Sequence, residues 1–91
     1  MTRVLYPGSF DPIHTGHVEL IEVASGLFDE VVVAAITNPQ KSAGLFDLAE
    51  RKAMITDSVA HLPNVSVTSF GSLVVDLARE VGADFIVKGL R

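Results

Sequence analysis

Glu30-Val31-Val32-Val33-Ala34-Ala35-Ile36 is apolar without interruption after its first residue and rich in β-branched side chains. A strand with one wet face alternates polar and apolar residues. An unbroken run instead reads as a strand covered on both faces, the habit of parallel sheets. Working outward, the period changes at punctuation residues. Upstream, Val18, Ile21, Ala24 or Val23, Leu27 and Phe28 recur at three-to-four spacing between Gly16 and Phe28, which is one helix face. Before that helix, Arg3 to Tyr6 is a short apolar strand closed by Pro7-Gly8. Downstream, Asn38-Pro39 breaks the run, and Asp47 with Glu50 three residues on forms an aspartate version of the capping box. The helix it opens buries Leu48, Ile55, Val59 and Leu62 and stops before Pro63-Asn64. Val65-Ser66-Val67-Thr68 alternates as a strand. Ser72 caps a third helix with Leu73, Val74, Leu77, Ala78 and Val81 on one face and Gly82 at its C′ position. Ala83 to Val87 is a last apolar strand.

The order β-α-β-α-β-α-β predicts an α/β fold, a Rossmann-like parallel sheet with right-handed crossovers and helices on both faces. Ligands of such sheets sit at the carboxyl ends of the strands. That rule selects residues 6–17, 37–46, 68–74 and 88–91 as candidate site segments. The sequence stops directly after a strand with no covering helix, so residues 1–91 are expected to be the N-terminal part of a single domain, truncated after its fourth strand.

Ninety-one residues, 48% of them hydrophobic and 20% charged, suffice for one core and exclude a disordered chain. The net charge of −4, with no cluster of Lys or Arg, excludes long polyanions such as nucleic acid, whereas small phosphorylated ligands need only a few local donors. The absence of cysteine removes disulfides, thiolate metal sites and a cysteine nucleophile. No apolar run approaches the ~20 residues that span a bilayer, and the first residues carry no signal-peptide core, so the expected location is the cytosol.

The stretch Pro7-Gly8-Ser9-Phe10-Asp11-Pro12-Ile13-His14-Thr15-Gly16-His17 joins the first strand to the first helix. Its prolines and glycines specify a fixed loop, and Gly8 lets backbone approach a ligand. Ser9, His14 and His17 are placed on one crevice, and a phosphate would be received where Gly16 and His17 begin the helix. A single histidine at a helix start is more often a cap or a surface residue. Two of them three apart, at the favoured end of the sheet, shift the balance to chemistry. Metal ligation by His14 and His17 would need a third ligand, and only Asp11 is near in sequence. Neither the Walker spacing nor G-x-G-x-x-G occurs, which disfavours P-loop hydrolysis and dinucleotide redox chemistry.

The loop resembles the (T/H)-x-G-H signature of the nucleotidyltransferase superfamily. Pro7-Gly8-Ser9-Phe10-Asp11-Pro12 narrows the resemblance to bacterial phosphopantetheine adenylyltransferases. Asn38-Pro39-x-Lys41, Phe46-x-Leu48-x-x-Arg51, Phe70-x-x-Leu73 and Val87-Lys88-Gly89-Leu90-Arg91 match the same family in order and position. The resemblance implies a nucleotidyltransferase-type fold and transfer of the adenylyl group of ATP to 4′-phosphopantetheine, giving dephospho-coenzyme A and pyrophosphate with Mg²⁺ assisting. It implies a homohexamer for the full-length enzyme. It further implies that Ser9 holds the acceptor phosphate and meets ATP, that the Phe10 backbone supports the nucleotide, and that His17 donates to the α-phosphate. Lys41 and Lys88 would contact the acceptor phosphate, Val74 would line the pantetheine arm, and Gly89, Leu90 and Arg91 would touch ATP.

Relatives continue past Gly-Leu-Arg into segments with further ATP contacts, so the isolated stretch is expected to turn over poorly. Two alternatives share the loop and the fold, glycerol-phosphate cytidylyltransferase and nicotinamide-mononucleotide adenylyltransferase. A third reading makes the chain a non-catalytic binding or assembly fragment whose open edge after the last strand promotes self-association.

Overall fold

A computed structural model describes residues 2–8, 10, 13–36, 47–70 and 74–87. Its elements follow the predicted order: β1 (Arg3–Gly8), α1 (Thr15–Leu27), β2 (Glu30–Ile36), α2 (Leu48–Ser58), β3 (Val65–Phe70), α3 (Val74–Val81) and β4 (Phe85–Ile86). The strands form one parallel sheet in the order β3-β2-β1-β4. The α/β, Rossmann-like fold of the sequence reading is therefore the fold observed.

Alternate side chains of the central strands enter two cores. Val4, Tyr6, Val31, Val33 and Ala35 point to the face covered by α1 and α2, where they meet Ile21, Ala24, Ile55 and Val59. Leu5, Val32 and Ala34 point the other way and meet Leu77 of α3. This explains why β2 reads as continuously apolar: both of its faces are dry. β3 lies at the sheet edge, and its alternation has the matching cause, since Val65 and Val67 pack on the first core while Ser66 is exposed.

The order of the strands reverses at β1. The chain steps from β1 to β2 to β3 in one direction, then crosses back to place β4 on the far side of β1, with α3 on the opposite face from α1 and α2. The crevice at the carboxyl ends of β1 and β4 is thus the topological switch point, where open α/β sheets take their ligands.

Four local features differ from expectation. First, β1 runs through Pro7 and Gly8, paired with Ala34 and Ala35, rather than ending at Tyr6. Arg3 and Leu5 accept from Asp84 and Val87 on the β4 side, so Pro7, of the same parity, directs its missing N–H toward that side, beyond the last β4 pair, Leu5 with Ile86. Second, the α1 stripe is His17, Leu20, Ile21, Ala24 and Phe28. Leu27 is 71% exposed and Val23 58%. Phe28 leaves the helix in an extended conformation and folds back onto the core in place of Leu27.

Third, α2 ends at Ser58, earlier than Pro63, with Val59 as its C-cap. Fourth, β4 has two residues, not five. The Ala83 N–H is used at the end of α3, where Gly82 at φ +68 closes a Schellman motif through Ala83 to Ala78 O (2.9 Å) and Gly82 to Arg79 O (3.2 Å). The Asp84 carboxylate then accepts the Arg3 N–H at 2.8 Å. The expected Asp47–Glu50 capping box is present, with Glu50 N–H donating to Asp47 Oδ1 at 2.8 Å. The predicted Ser72 cap and the Asn38-Pro39 break lie outside the described residues.

Candidate active site

The first turn of α1 is built by two imidazoles. His14 is the N-cap, with extended backbone (φ −132, ψ 176), and its Nδ1 accepts the Gly16 N–H at 3.1 Å. His17, three residues on, returns the contact: its Nδ1 accepts the His14 N–H at 3.1 Å. The two rings stack with centroids 3.7 Å apart and planes 27° from parallel. The sequence reading weighed a cap against chemistry at these histidines. The cap is present, and it uses only one nitrogen of each ring.

That division has a chemical consequence. A ring whose Nδ1 accepts an N–H bond is neutral and carries its proton on Nε2. The hydrogen-bond pattern therefore assigns the Nε2–H tautomer to both histidines. In the same pattern the helix-start amide of Gly16 has the His14 ring as its acceptor.

Gly16 is required by the cap itself. A Cβ at position 16 would lie 3.0 Å from His14 Cε1 and 3.2 Å from Nδ1, pushing the ring off the helix end. In the sequence H-T-G-H, the glycine is thus the space into which the capping ring folds. The threonine that the superfamily signature accepts at position 14 has a physical counterpart, because a threonine hydroxyl is also a good N-cap acceptor.

Behind His17 lies an aromatic wall. Phe10 is 2% exposed and meets His17 edge-on, with centroids 4.9 Å apart and an interplanar angle of 72°. Its other side makes a second edge contact with Tyr6, at 5.3 Å and 86°. The Tyr6 and His17 centroids are 6.4 Å apart. Burial pushes the Tyr6 phenol above its ordinary pKa, because the phenolate would be poorly solvated there. The resemblance assigns Phe10 a role through its backbone alone, and Tyr6 enters the sequence analysis only as the end of the first strand and the start of a candidate segment. Its signal was available: His17 stands four residues before Ile21, on the buried stripe that faces the first core.

Of the predicted site residues, the structure brings together Phe10 and His17, with His14. Ser9, Asp11, Lys41, Lys88, Gly89, Leu90 and Arg91 lie outside the described residues, as does the Val74 side chain, although the Val74 backbone opens α3. Among the described residues, no group of three His, Cys, Asp or Glu side chains is placed to hold a metal ion. No described helix is long and apolar enough to cross a membrane.

A family model described as cytidylyltransferase-like matches residues 5–91. The chain belongs to the cytidylyltransferase-like family. Its nucleotidyltransferase-type fold is shared with the crystal structure of a lipopolysaccharide core biosynthesis protein from Thermoplasma volcanium GSS1, at a TM-score of 0.74 and 28% identity over 94% of this chain and 72% of that one.

Proposed function

We propose that the chain carries the transfer site of a phosphopantetheine adenylyltransferase. In that reaction a phosphate oxygen of 4′-phosphopantetheine attacks the α-phosphorus of ATP. The new P–O bond makes dephospho-coenzyme A, the α–β bridging P–O bond breaks, and pyrophosphate leaves. Such an in-line transfer needs no protein nucleophile; it needs positioning and compensation of charge at the α-phosphate. The observation that carries the reading is the hydrogen bond from His14 N–H to His17 Nδ1 at 3.1 Å. With Nδ1 held by the His14 N–H, the proton sits on Nε2, giving a fixed, neutral donor at the carboxyl end of β1.

The finer roles rest on the resemblance of the sequence. Ser9, Lys41 and Lys88 bind the acceptor phosphate, Val74 borders the pantetheine arm, and Ser9, Phe10, Gly89, Leu90 and Arg91 contact ATP. Magnesium takes oxygen ligands in an octahedral shell. The described donors at this turn are imidazole nitrogens, which do not make such a shell, so Mg²⁺ is assigned to the phosphates of the nucleotide it accompanies. A homohexamer and a cytosolic location belong to the same proposal.

The structural neighbour is a lipopolysaccharide core biosynthesis protein rather than an enzyme of coenzyme A synthesis, which motivates a second reading. Another nucleotidyltransferase with the same loop, such as glycerol-phosphate cytidylyltransferase or nicotinamide-mononucleotide adenylyltransferase, would use His17 in the same way with a different acceptor. Pyrophosphate release measured with ATP and CTP against phosphopantetheine, glycerol phosphate and nicotinamide mononucleotide separates them. Preference for ATP with phosphopantetheine is expected. Preference for either other acceptor would replace the first reading by the second.

A further inference from the structure

We infer that the Phe10 side chain is a positioning residue that sets the orientation of the His17 imidazole; the inference rests on the reading of His17 as the transfer donor. Phe10 is the non-glycine residue with positive φ among the described residues, at +48. Side chains larger than glycine rarely adopt that backbone region, and such strain persists only where the surroundings over-determine it. A phenylalanine serving the core alone would gain its burial from ordinary backbone. Here the left-handed turn delivers the ring to one place, between Tyr6 and His17.

The neighbours make room for it and make use of it. A Cβ at Gly8 would lie 3.1 Å from both Cε2 and Cζ of Phe10, so the last residue of β1 is glycine where the ring passes over the strand. His17 is then confined on two sides, by the Phe10 edge at 4.9 Å and the stacked His14 ring at 3.7 Å. With both rings packed against it, the bond from His14 N–H to His17 Nδ1 can select a single ring orientation and a single tautomer. Removing the Phe10 ring takes away one of the two ring contacts that flank the hydrogen-bonded imidazole.

The test uses the full chain labelled with ¹⁵N-histidine. Long-range ¹H–¹⁵N spectra near neutral pH report which His17 nitrogen carries the proton, and steady-state pyrophosphate release gives kcat and KM. Phe10→Leu is expected to replace a pure Nε2–H pattern by averaged Nδ1 and Nε2 shifts. It should also lower kcat by about tenfold to a hundredfold with a smaller change in KM, the mark of a misplaced donor. Gly8→Ala, which presses on the same ring from the strand side, should move the spectrum in the same direction and carries the test if Phe10→Leu does not fold. Ile55→Val trims the same core under α2 and should lower thermal stability with the His17 pattern intact. A wild-type His17 pattern in folded Phe10→Leu or Gly8→Ala overturns the inference. If the full-length protein transfers no nucleotide to any acceptor while the spectral change is seen, the donor reading fails and the positioning of His17 by Phe10 stands.

Discussion

His14 and His17 satisfy each other across the first turn of α1, His14 Nδ1 accepting from Gly16 N–H and His17 Nδ1 accepting from His14 N–H, both at 3.1 Å. Capping boxes usually employ a hydroxyl or carboxylate with a glutamate or glutamine. Building one from two imidazoles fixes both rings to the backbone and leaves the proton of each on Nε2. The fastening of the loop and the presentation of a donor are then one structural device.

Replacement of His17 by Ala removes both the proposed donor and half of the box. With the complete enzyme, kcat should fall by about 10²–10³, the loss typical of one preorganised oxyanion donor, while KM changes less. His14→Thr should cost far less, since threonine retains an N-cap acceptor. Equal losses at the two positions, or a His17 effect confined to KM, would show that the pair acts jointly and that the donor is misassigned.

Gly16→Ala separates the cap from the helix. Alanine is intrinsically better than glycine inside a helix by about 1 kcal/mol. At position 16 its Cβ would sit 3.0 Å from the His14 ring, which must move. The two effects oppose each other in stability, so Tm should shift by no more than roughly 8 °C. Activity should drop more than tenfold, because the His14 ring, denied its place over position 16, loses the cap and is pushed against the His17 imidazole stacked on it. Thermal unfolding together with kinetics checks this; an active, stabilised variant would show that the His14 ring position is irrelevant.

Much of this architecture is legible in the sequence where one local cause dominates. The bounds of β2 coincide with Glu30–Ile36 because burial on both faces forbids polar residues there. Asp47–Glu50 and Gly82 declare the start of α2 and the end of α3 through backbone chemistry that needs no tertiary context. Legibility fails where a distant partner decides. Pro7 continues β1 only because the ladder with β4 has already ended on its N–H side. Ala83 is withheld from β4 by the carbonyl of Ala78. The α1 stripe extends to His17 because Phe10 supplies a surface that periodicity cannot reveal, and Leu27 is left exposed because the extended C-cap brings Phe28 onto the core instead.

Tyr6 is the single tyrosine of the chain, so its ionisation is read directly from ultraviolet absorbance. Desolvation raises its folded pKa above the ordinary value of 10.0. The folded state keeps the phenol protonated at pH values where the unfolded chain has released the proton. Its contribution to stability is therefore complete below pH of about 10 and is lost as pH climbs through the raised folded value. Alkaline titration should show phenolate appearing later than in the urea-unfolded chain, and Tyr6→Phe should flatten the fall in stability above pH ~10. Ionisation at the ordinary value in the folded protein would contradict the burial of the hydroxyl.

Asn64, which the sequence offers only as a turn residue after Pro63, clasps the far end of α1. Its Nδ2 donates to the carbonyls of Ser25 at 2.8 Å, Asp29 at 3.2 Å and Phe28 at 3.3 Å, satisfying the helix C-terminus from 35 or more residues away. Its own carbonyl also accepts the Val31 N–H at 3.0 Å, so one residue joins the α1 end, the start of β2 and the start of β3. Asn64→Ala removes the donor and leaves part-buried carbonyls short of a partner, a loss of about 1–3 kcal/mol. Asn64→Asp keeps the shape but turns a carboxylate toward three carbonyl oxygens at the negative end of the helix dipole, and should cost more. For a domain of this size each kcal/mol lowers Tm by roughly 4–8 °C. The order wild type, Asn64→Ala, Asn64→Asp in Tm is the expected result. Protonating the aspartate at low pH should narrow the gap between the two variants, because the carboxylic acid regains a donor; a gap unchanged by pH would mean that side-chain volume, not the clasp, sets the loss.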